Sequence, residues 1–455
     1  MTKLISGATV VPVDAERSVI RDGAVAVADD GRIADVGKRA VLEQAYPDAE
    51  RIDARGQMLL PGFVNLHVHC ALAVTRGIGD DMGGAPVYRK DIPQGVILGP
   101  DDTYVFSRLG ALQALAFGST TIVENYIHSL SNVKALAELG IRAVVSERVH
   151  DADLFTVRGG EYSYDPDLGK RLLETNAQLI EEWHGYDGGR ITCQVGPHGP
   201  DTASPRLLEQ AALLAEGRGV GMFIHLAQTA GEVAQVRRLT GRNSVQHLDD
   251  LGLLGRGLIA GHCAFLEDGD AELLATSGTN VCQIPVVNAK SGWIAPAAQL
   301  RRLGAVVGLA TDNMVHDMVE AMRFALCVNR VADGGPAGIK AMDVLEMATI
   351  QGARAIGREA DLGSIEPGKI ADLVFVDLER PHLAPLLDPV ANLVYAGQSS
   401  DIHSVMVNGE FLVRDRAVLT VDTKEVMAAA QERAESLWRS VAGWEPADRA
   451  VCGQC

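Results

Sequence analysis

Aromatic side chains are scarce. Phe, Trp and Tyr together make up 5% of the chain, while hydrophobic residues reach 47%. The interior is therefore built from Ala, Val, Leu and Gly, as in an ordinary globular protein. No run of about 18 apolar residues occurs, which leaves no membrane span. Cysteine is sparse too, with 7 in 455 residues. Cys70, Cys193, Cys263, Cys282 and Cys327 are scattered through apolar segments and read as reduced core thiols, which excludes a disulfide scaffold. Cys452 and Cys455 form a C-x-x-C at the C-terminal end. With no second pair and no following helix, it reads as tail rather than a zinc or redox site. Basic residues are outnumbered, 41 Lys+Arg against 59 Asp+Glu, for a net charge of −18. That disfavours nucleic acid and anionic membranes as partners and suits a small neutral or cationic substrate. The opening "MTKLISGATVVPVDAE" has no secretory core or small-residue cleavage site, so the cytoplasm is the expected location. Low-complexity linkers and short repeats are absent.

A chain of 455 residues is too long for one ordinary core and suits a large barrel with a smaller module. Residues 1–60 read as short strands, with "DDG" as a hairpin turn. Residues 365–423 contain similar material, and Asn408-Gly409 signals a type I′ hairpin. These two segments are expected to form one small β-sandwich. Residues 424–455 are expected to form a helix and a tail.

Between them, over 61–364, near-continuous apolar runs alternate with amphipathic ones. The strand-like runs are "GFVNLHVHC" (62–70), "STTIVENY" (119–126), "IRAVVSERV" (141–149), "RITCQVGPH" (190–198), "GVGMFIHLAQ" (219–228), "GLIAGHC" (257–263), "GTNVCQIP" (278–285) and "AVVGLATDN" (305–313). Strands buried on both faces read this way in a parallel sheet. Eight such units predict an α/β fold, a (β/α)8 TIM barrel.

Chemistry in such barrels belongs to the C-terminal ends of the strands. His67 and His69 lie two apart in an extended segment, so they share a face. Of the 12 histidines in the chain, His67, His69, His198, His225 and His262 all stand at predicted strand ends, with Asp312 at the last. Imidazoles and a carboxylate converging at a barrel mouth suit Zn²⁺ or Fe²⁺.

In this order the motifs resemble the amidohydrolase superfamily, specifically its aminohydrolase branch of guanine, cytosine and S-adenosylhomocysteine deaminases and triazine hydrolases. "PGFVNLHVH", "TRGIGDDM", "GPHGPDTASPRLL", "IHLAQT", "GHCAF", "PVVNAKSG", "GLATDN" and "ADLGSIEPGKIADLVFVD" carry the resemblance over nearly the whole chain. It implies one divalent ion, Zn²⁺ or alternatively Fe²⁺, held by His67, His69, His225 and Asp312. No lysine ends the fourth strand to bridge a second metal. It implies a catalytic Asp312 that takes and returns a proton, and a catalytic His262 beside the developing charge. His198 would touch the substrate or simply cap its strand. Arg148, with Glu147, would reach a heterocycle or form an ordinary ion pair. Asn313 would orient a ligand or end its strand. His128 and Trp293 would line the pocket, or else be loop and core residues. The "GGAPVYRKDIPQG" loop (83–95) would form a lid or wall. A homodimer is common in the family.

Two positions depart from the pattern. Deaminases of this branch usually carry His-x-x-Glu on the fifth strand; here Gln228 takes the place of the glutamate, and a carboxamide cannot shuttle a proton. The next acid, Glu232, would have to fold back. Phe265 stands where a second histidine often follows the sixth strand. The expected function is hydrolytic deamination of an amino-substituted N-heterocycle: a purine, pterin, pyrimidine or triazine. The alternatives are displacement of another leaving group, such as chloride, opening of a cyclic amide, or a non-catalytic barrel scaffold.

Overall fold

The computed structural model describes residues 1–81, 92–157 and 159–442. Most of the 83–95 loop, and Cys452 and Cys455, lie outside the described residues. Strands from both ends of the chain pair edge to edge in one nine-stranded sheet. Its seam is the antiparallel pair Gln57–Pro61 and Leu373–Asp377, in register from Leu373 opposite Pro61 to Asp377 opposite Gln57. On one side of the seam lie Lys3–Val10, Ile20–Val27 and Ile33–Lys38, with Glu50–Asp53 beside Lys3–Val10. On the other side lie Ile402–Val407, Glu410–Arg414 and Ala417–Val418. The two-residue period of a strand divides its side chains between two clusters. Leu4, Ala24 and Ala26 pack on Leu42 of the helix Arg39–Ala45, while Ile5, Val25, Val27, Leu59, Leu373 and Phe375 pack on the opposite face. Asn408 and Gly409 join Ile402–Val407 to Glu410–Arg414 with φ of 51° and 75°. A type I′ hairpin needs positive φ at both positions.

The middle of the chain supplies two parallel sheets. Strand 1 (Phe63–His69), strand 2 (Ser119–Tyr126) and strand 3 (Arg142–Val149) pair in order. Strand 4 comes as two short pieces on strand 3, Ile191–Cys193 and Gly196–Pro197. Strand 5 (Met222–Leu226), strand 6 (Leu258–His262), strand 7 (Asn280–Gln283) and strand 8 (Val307–Leu309) form the second sheet. A bridge between Val195 and Met222 links strand 4 to strand 5. At the other end, the chain runs on from strand 8 into Asp312–Asn313, which pairs with strand 1 at Val68 and His69. Every residue of strands 1, 2, 5, 6 and 7 is buried, which explains their continuous apolar reading. The C-terminal helix, Thr423–Ala442, packs Ala430 and Leu437 against Leu72 and Phe106. Among the described residues, no helix is long and apolar enough to cross a membrane.

A buried ion pair ties the parallel strands to the nine-stranded sheet. Arg142, at the start of strand 3, donates to both carboxylate oxygens of Asp372 at 2.9 and 3.1 Å, and the Asn408 amide adds a bond to the same carboxylate at 2.8 Å. Both side chains are under 5% exposed. Removing one partner of such a pair leaves an uncompensated buried charge. Asp372→Ala is therefore expected to cost about 3–5 kcal/mol, read as a lower denaturant midpoint. An unchanged midpoint would show that the pair does not hold the two sheets together.

Candidate metal centre

The two histidines of strand 1 do share a face, and they meet groups from the ends of strands 5, 6 and 8. The Nε2 atoms of His67 and His69 lie 3.8 and 3.6 Å from Asp312 Oδ1, and His262 Nε2 lies 3.8 Å from Asp312 Oδ2. His67 Nε2 lies 3.2 Å from His225 Nε2. Donor atoms of His67, His225 and His262 fall within 4.8 Å of one another, and so do those of His67, His69 and Asp312.

For His225 and His262, hydrogen bonds on the far side of the ring fix which nitrogen faces inward. His225 Nδ1 is 2.7 Å from the carbonyl oxygen of His198. A carbonyl only accepts, so Nδ1 carries the proton and Nε2 presents a lone pair. His262 Nδ1 donates to Asn288 Oδ1 at 2.9 Å, and its Nε2 has no hydrogen-bond partner among the described residues. His67 Nε2 faces this His225 lone pair at 3.2 Å, close enough either to donate a hydrogen bond to it or to share a cation with it. Nitrogens bound about 2.0–2.1 Å from one zinc ion at a tetrahedral angle are about 3.3 Å apart. The donor set therefore fits a divalent ion.

Electrostatics agree. Burial, and then the neighbouring imidazoles, push His67 far below the ordinary histidine range; burial, His225 and Arg148 do the same to His69. Burial brings His225 down to about 3 and His262 to about 4, and raises Asp312 to about 7. Neutral imidazole is the ligating form. A bound cation would offset the cost of a buried carboxylate charge.

The local backbone is shaped for this site. Asn65 donates to Thr311 Oγ1 at 2.8 Å, and its Oδ1 accepts from the Thr311 amide at 3.1 Å. Strand 1 thereby locks the residue preceding Asp312. His262 and Asp312 have φ of 69° and 63°, left-handed values that non-glycine residues adopt where surrounding structure imposes them. Phe223 stacks flat on His67 at 4.4 Å.

A cavity opens beside the cluster, lined among others by Gln228, His262, Asn288, Trp293, Asp312 and Asn313. Gln228, Asn313 and Trp293 are thus brought together with Asp312 and His262. Phe265 packs edge-on against Trp293 at 5.2 Å, where it supports the cavity wall. His198 is buried against the His225 ring at 4.9 Å, and its Nδ1 lies 2.8 Å from Thr202 Oγ1. Arg148 is buried with its guanidinium 4.7 Å from the Tyr126 ring. Its charge helps to lower His69, His198 and His225. Two considered residues have other work. The Glu147 carboxylate accepts from the amides of His128 and Ser129, at the start of the helix Ser129–Leu139. His128 Nε2 bonds the Leu98 carbonyl. Asn288, Thr202 and Phe223 were not singled out from sequence. Asn288 lies within "PVVNAKSG", but nothing in its spacing marks it as the partner of His262.

The amidohydrolase family model matches residues 58–412. The chain belongs to the amidohydrolase family. A 5-methylthioadenosine/S-adenosylhomocysteine deaminase of Symbiobacterium thermophilum is 37% identical over 444 residues, covering 96% of this chain and 99% of the relative. A 5′-deoxyadenosine deaminase of Methanosarcina mazei is 32% identical over 440 residues, covering 95% and 98%. Among solved structures, a zinc-bound adenosine deaminase from Xanthomonas campestris matches with a TM-score of 0.87 at 28% identity, covering 96% of this chain and 99% of that one. This amidohydrolase is an enzyme, and its reaction is hydrolytic deamination of an amino-substituted N-heterocycle, as the sequence leads one to expect.

Proposed function

We propose that the substrate is an aminopurine nucleoside modified at its 5′ position, and that one Zn²⁺ is held by His67, His69, His225 and Asp312. Relatives at 37% and 32% identity are named for such nucleosides, and a relative at 28% carries zinc. The observation that carries the reading is the cluster of His67, His69, His225, His262 and Asp312 donor atoms, with the His225 lone pair turned inward, beside the cavity that Gln228 lines. We also read the parallel strands as one closed (β/α)8 barrel over 61–364, joined through the Val195–Met222 bridge and the Asp312–Asn313 pairing. Residues 1–60 and 365–423 then form the second domain, followed by the helix and tail of 424–455.

When bound, a divalent ion supplies Lewis-acid activation of water near neutral pH. The chain's own groups do the rest. The C–N bond to the exocyclic amine breaks and a C–O bond forms. Of the two protons of water, one leaves with ammonia and one ends on the ring nitrogen of the lactam product. Asp312 Oδ2, facing His262, is the proton carrier. His262, fixed by Asn288, stabilises charge at the attacked carbon. Gln228 donates a hydrogen bond to the ring nitrogen of the substrate without giving up a proton, so that nitrogen takes its proton from solvent as the lactam forms. Asn313 and Trp293 hold the ring from the cavity wall, while His198 and Arg148 support the base from behind His225 and His69.

Ammonia release from 5′-deoxyadenosine and 5-methylthioadenosine is expected, matched by conversion of each base to the corresponding lactam. Release from pyrimidines or triazines alone would sink the nucleoside reading. The two histidine roles separate by mutation. Loss of a residue that orients the reaction without binding the ion typically costs about 10–100-fold. His262→Asn is expected to lower kcat by about that factor while keeping its metal. Metal loss equal to that of His225→Ala would make His262 a ligand.

A further inference from the structure

Glu232 is buried, yet it is not among the described residues lining the cavity. It is the third residue of the helix Ala230–Thr240, whose start is capped by Thr229 Oγ1 accepting from the Glu232 amide at 3.0 Å. In a usual capping box, the acid at this position reaches back to the amide of the cap residue itself. Here it reaches further. One carboxylate oxygen accepts from the Ala227 amide and the other from the Gln228 amide, both at 2.7 Å. Ala227 has a φ of 48°, so the turn holds an unfavourable backbone conformation that needs an external constraint. The Ala227 carbonyl in turn accepts from the amides of Ala264 and Phe265 at 3.0 and 2.8 Å. Those residues follow His262. The turn after strand 5 is thus bolted on one side by Glu232 and on the other to the turn after strand 6.

We infer that Glu232 is a positioning residue: it clamps the turn that presents Gln228 to the cavity and, through Ala227, steadies the turn that follows His262. The inference rests on the deaminase reading for its kinetic consequence, but the clamp itself does not. His225 is outside the clamp, because the His198 carbonyl holds its ring. Metal binding is therefore independent of Glu232. Glu232→Gln conserves size but turns an N–H donor towards an N–H donor, so one of the two bonds is lost. It should keep its metal and its KM and lose about 10–100-fold in kcat.

The test has three parts. Hydrogen–deuterium exchange of the full chain should quicken over 226–229 and 263–265 in Glu232→Gln and stay unchanged in strands 1 and 2. Unchanged exchange at 227 and 228 would overturn the clamp, whether or not the protein deaminates anything. In a double-mutant cycle, Glu232→Gln should have a smaller effect on kcat in a Gln228→Ala background than in the wild type, because coupled residues are not additive. Full additivity with normal wild-type activity would reduce Glu232 to a structural role and overturn the inference. Absence of wild-type activity would instead refute the deaminase reading. Thr229→Ala, which removes the helix cap but leaves both Glu232 carboxylate bonds in place, should lose less kcat than Glu232→Gln; an equal loss there would also overturn it. Should Glu232→Gln fail to fold, Glu232→Asp keeps the carboxyl group but spans less far, and an intermediate loss of kcat with metal retained is expected. Wild-type kcat in Glu232→Asp, with exchange unchanged, would contradict the clamp.

Discussion

His225→Ala is expected to purify without its metal and to release ammonia only at background level. The ring is anchored by the His198 carbonyl at 2.7 Å, so its Nε2 is a lone pair with a fixed direction. Of its neighbours, Phe223 carries no donor, and His198 uses its Nδ1 on Thr202. Without that ring, only three of the four proposed ligands remain, and burial pushes the one carboxyl among them, Asp312, up to about 7. Chelation of the wild-type protein should have the same consequence and, unlike the substitution, should be reversed by added zinc. His225→Ala with full metal content would move the ion to other ligands. Full activity without metal would remove the ion from the reaction.

Gln228→Glu is the second large test. Relatives of the aminohydrolase branch usually carry an acid here, and general acid–base catalysis is worth roughly 10²–10⁴-fold. If the chain's chemistry were a crippled version of that shuttle, restoring the carboxylate would raise ammonia release by about that factor. The structure favours the other outcome. Gln228 shares its cavity with Asp312 and His262, the backbone amide of residue 228 is held by Glu232, and the surrounding donors are all in place. An added carboxylate would face a buried acid already pushed up to about 7, a like-charge placement that is costly away from water. The expected result is no gain on the native substrate, or a loss. A gain of several hundredfold would identify Gln228 as a damaged shuttle and restore an ordinary acid–base deaminase.

Much of this cluster was legible in the sequence, because its histidines stand on strands. Apolar runs marked the strands, and a two-residue period put His67 and His69 on one face. Strand ends then collected His225, His262 and Asp312. What stayed hidden depends on contacts between distant segments. Asn65 and Thr311 are 246 residues apart, and Asn288 reaches His262 across 26. No local pattern encodes either. The left-handed backbone at His262 and Asp312 is likewise imposed by tertiary packing, since neither residue type asks for it. Glu232 was visible only as an acid in the wrong place. Its two bonds to the preceding turn became apparent once the helix start was positioned. The terminal strands were readable as strands, but not their order. The seam between Gln57–Pro61 and Leu373–Asp377 joins segments that only the fold brings together.

The most direct test is a zinc titration of metal-stripped protein, with ammonia release from 5′-deoxyadenosine as the readout. Activity should rise linearly from background and reach its plateau at one equivalent of zinc per chain. Full release before any zinc is added, or a plateau reached only at two equivalents, would contradict a single-ion deaminase centred on His67, His69, His225 and Asp312.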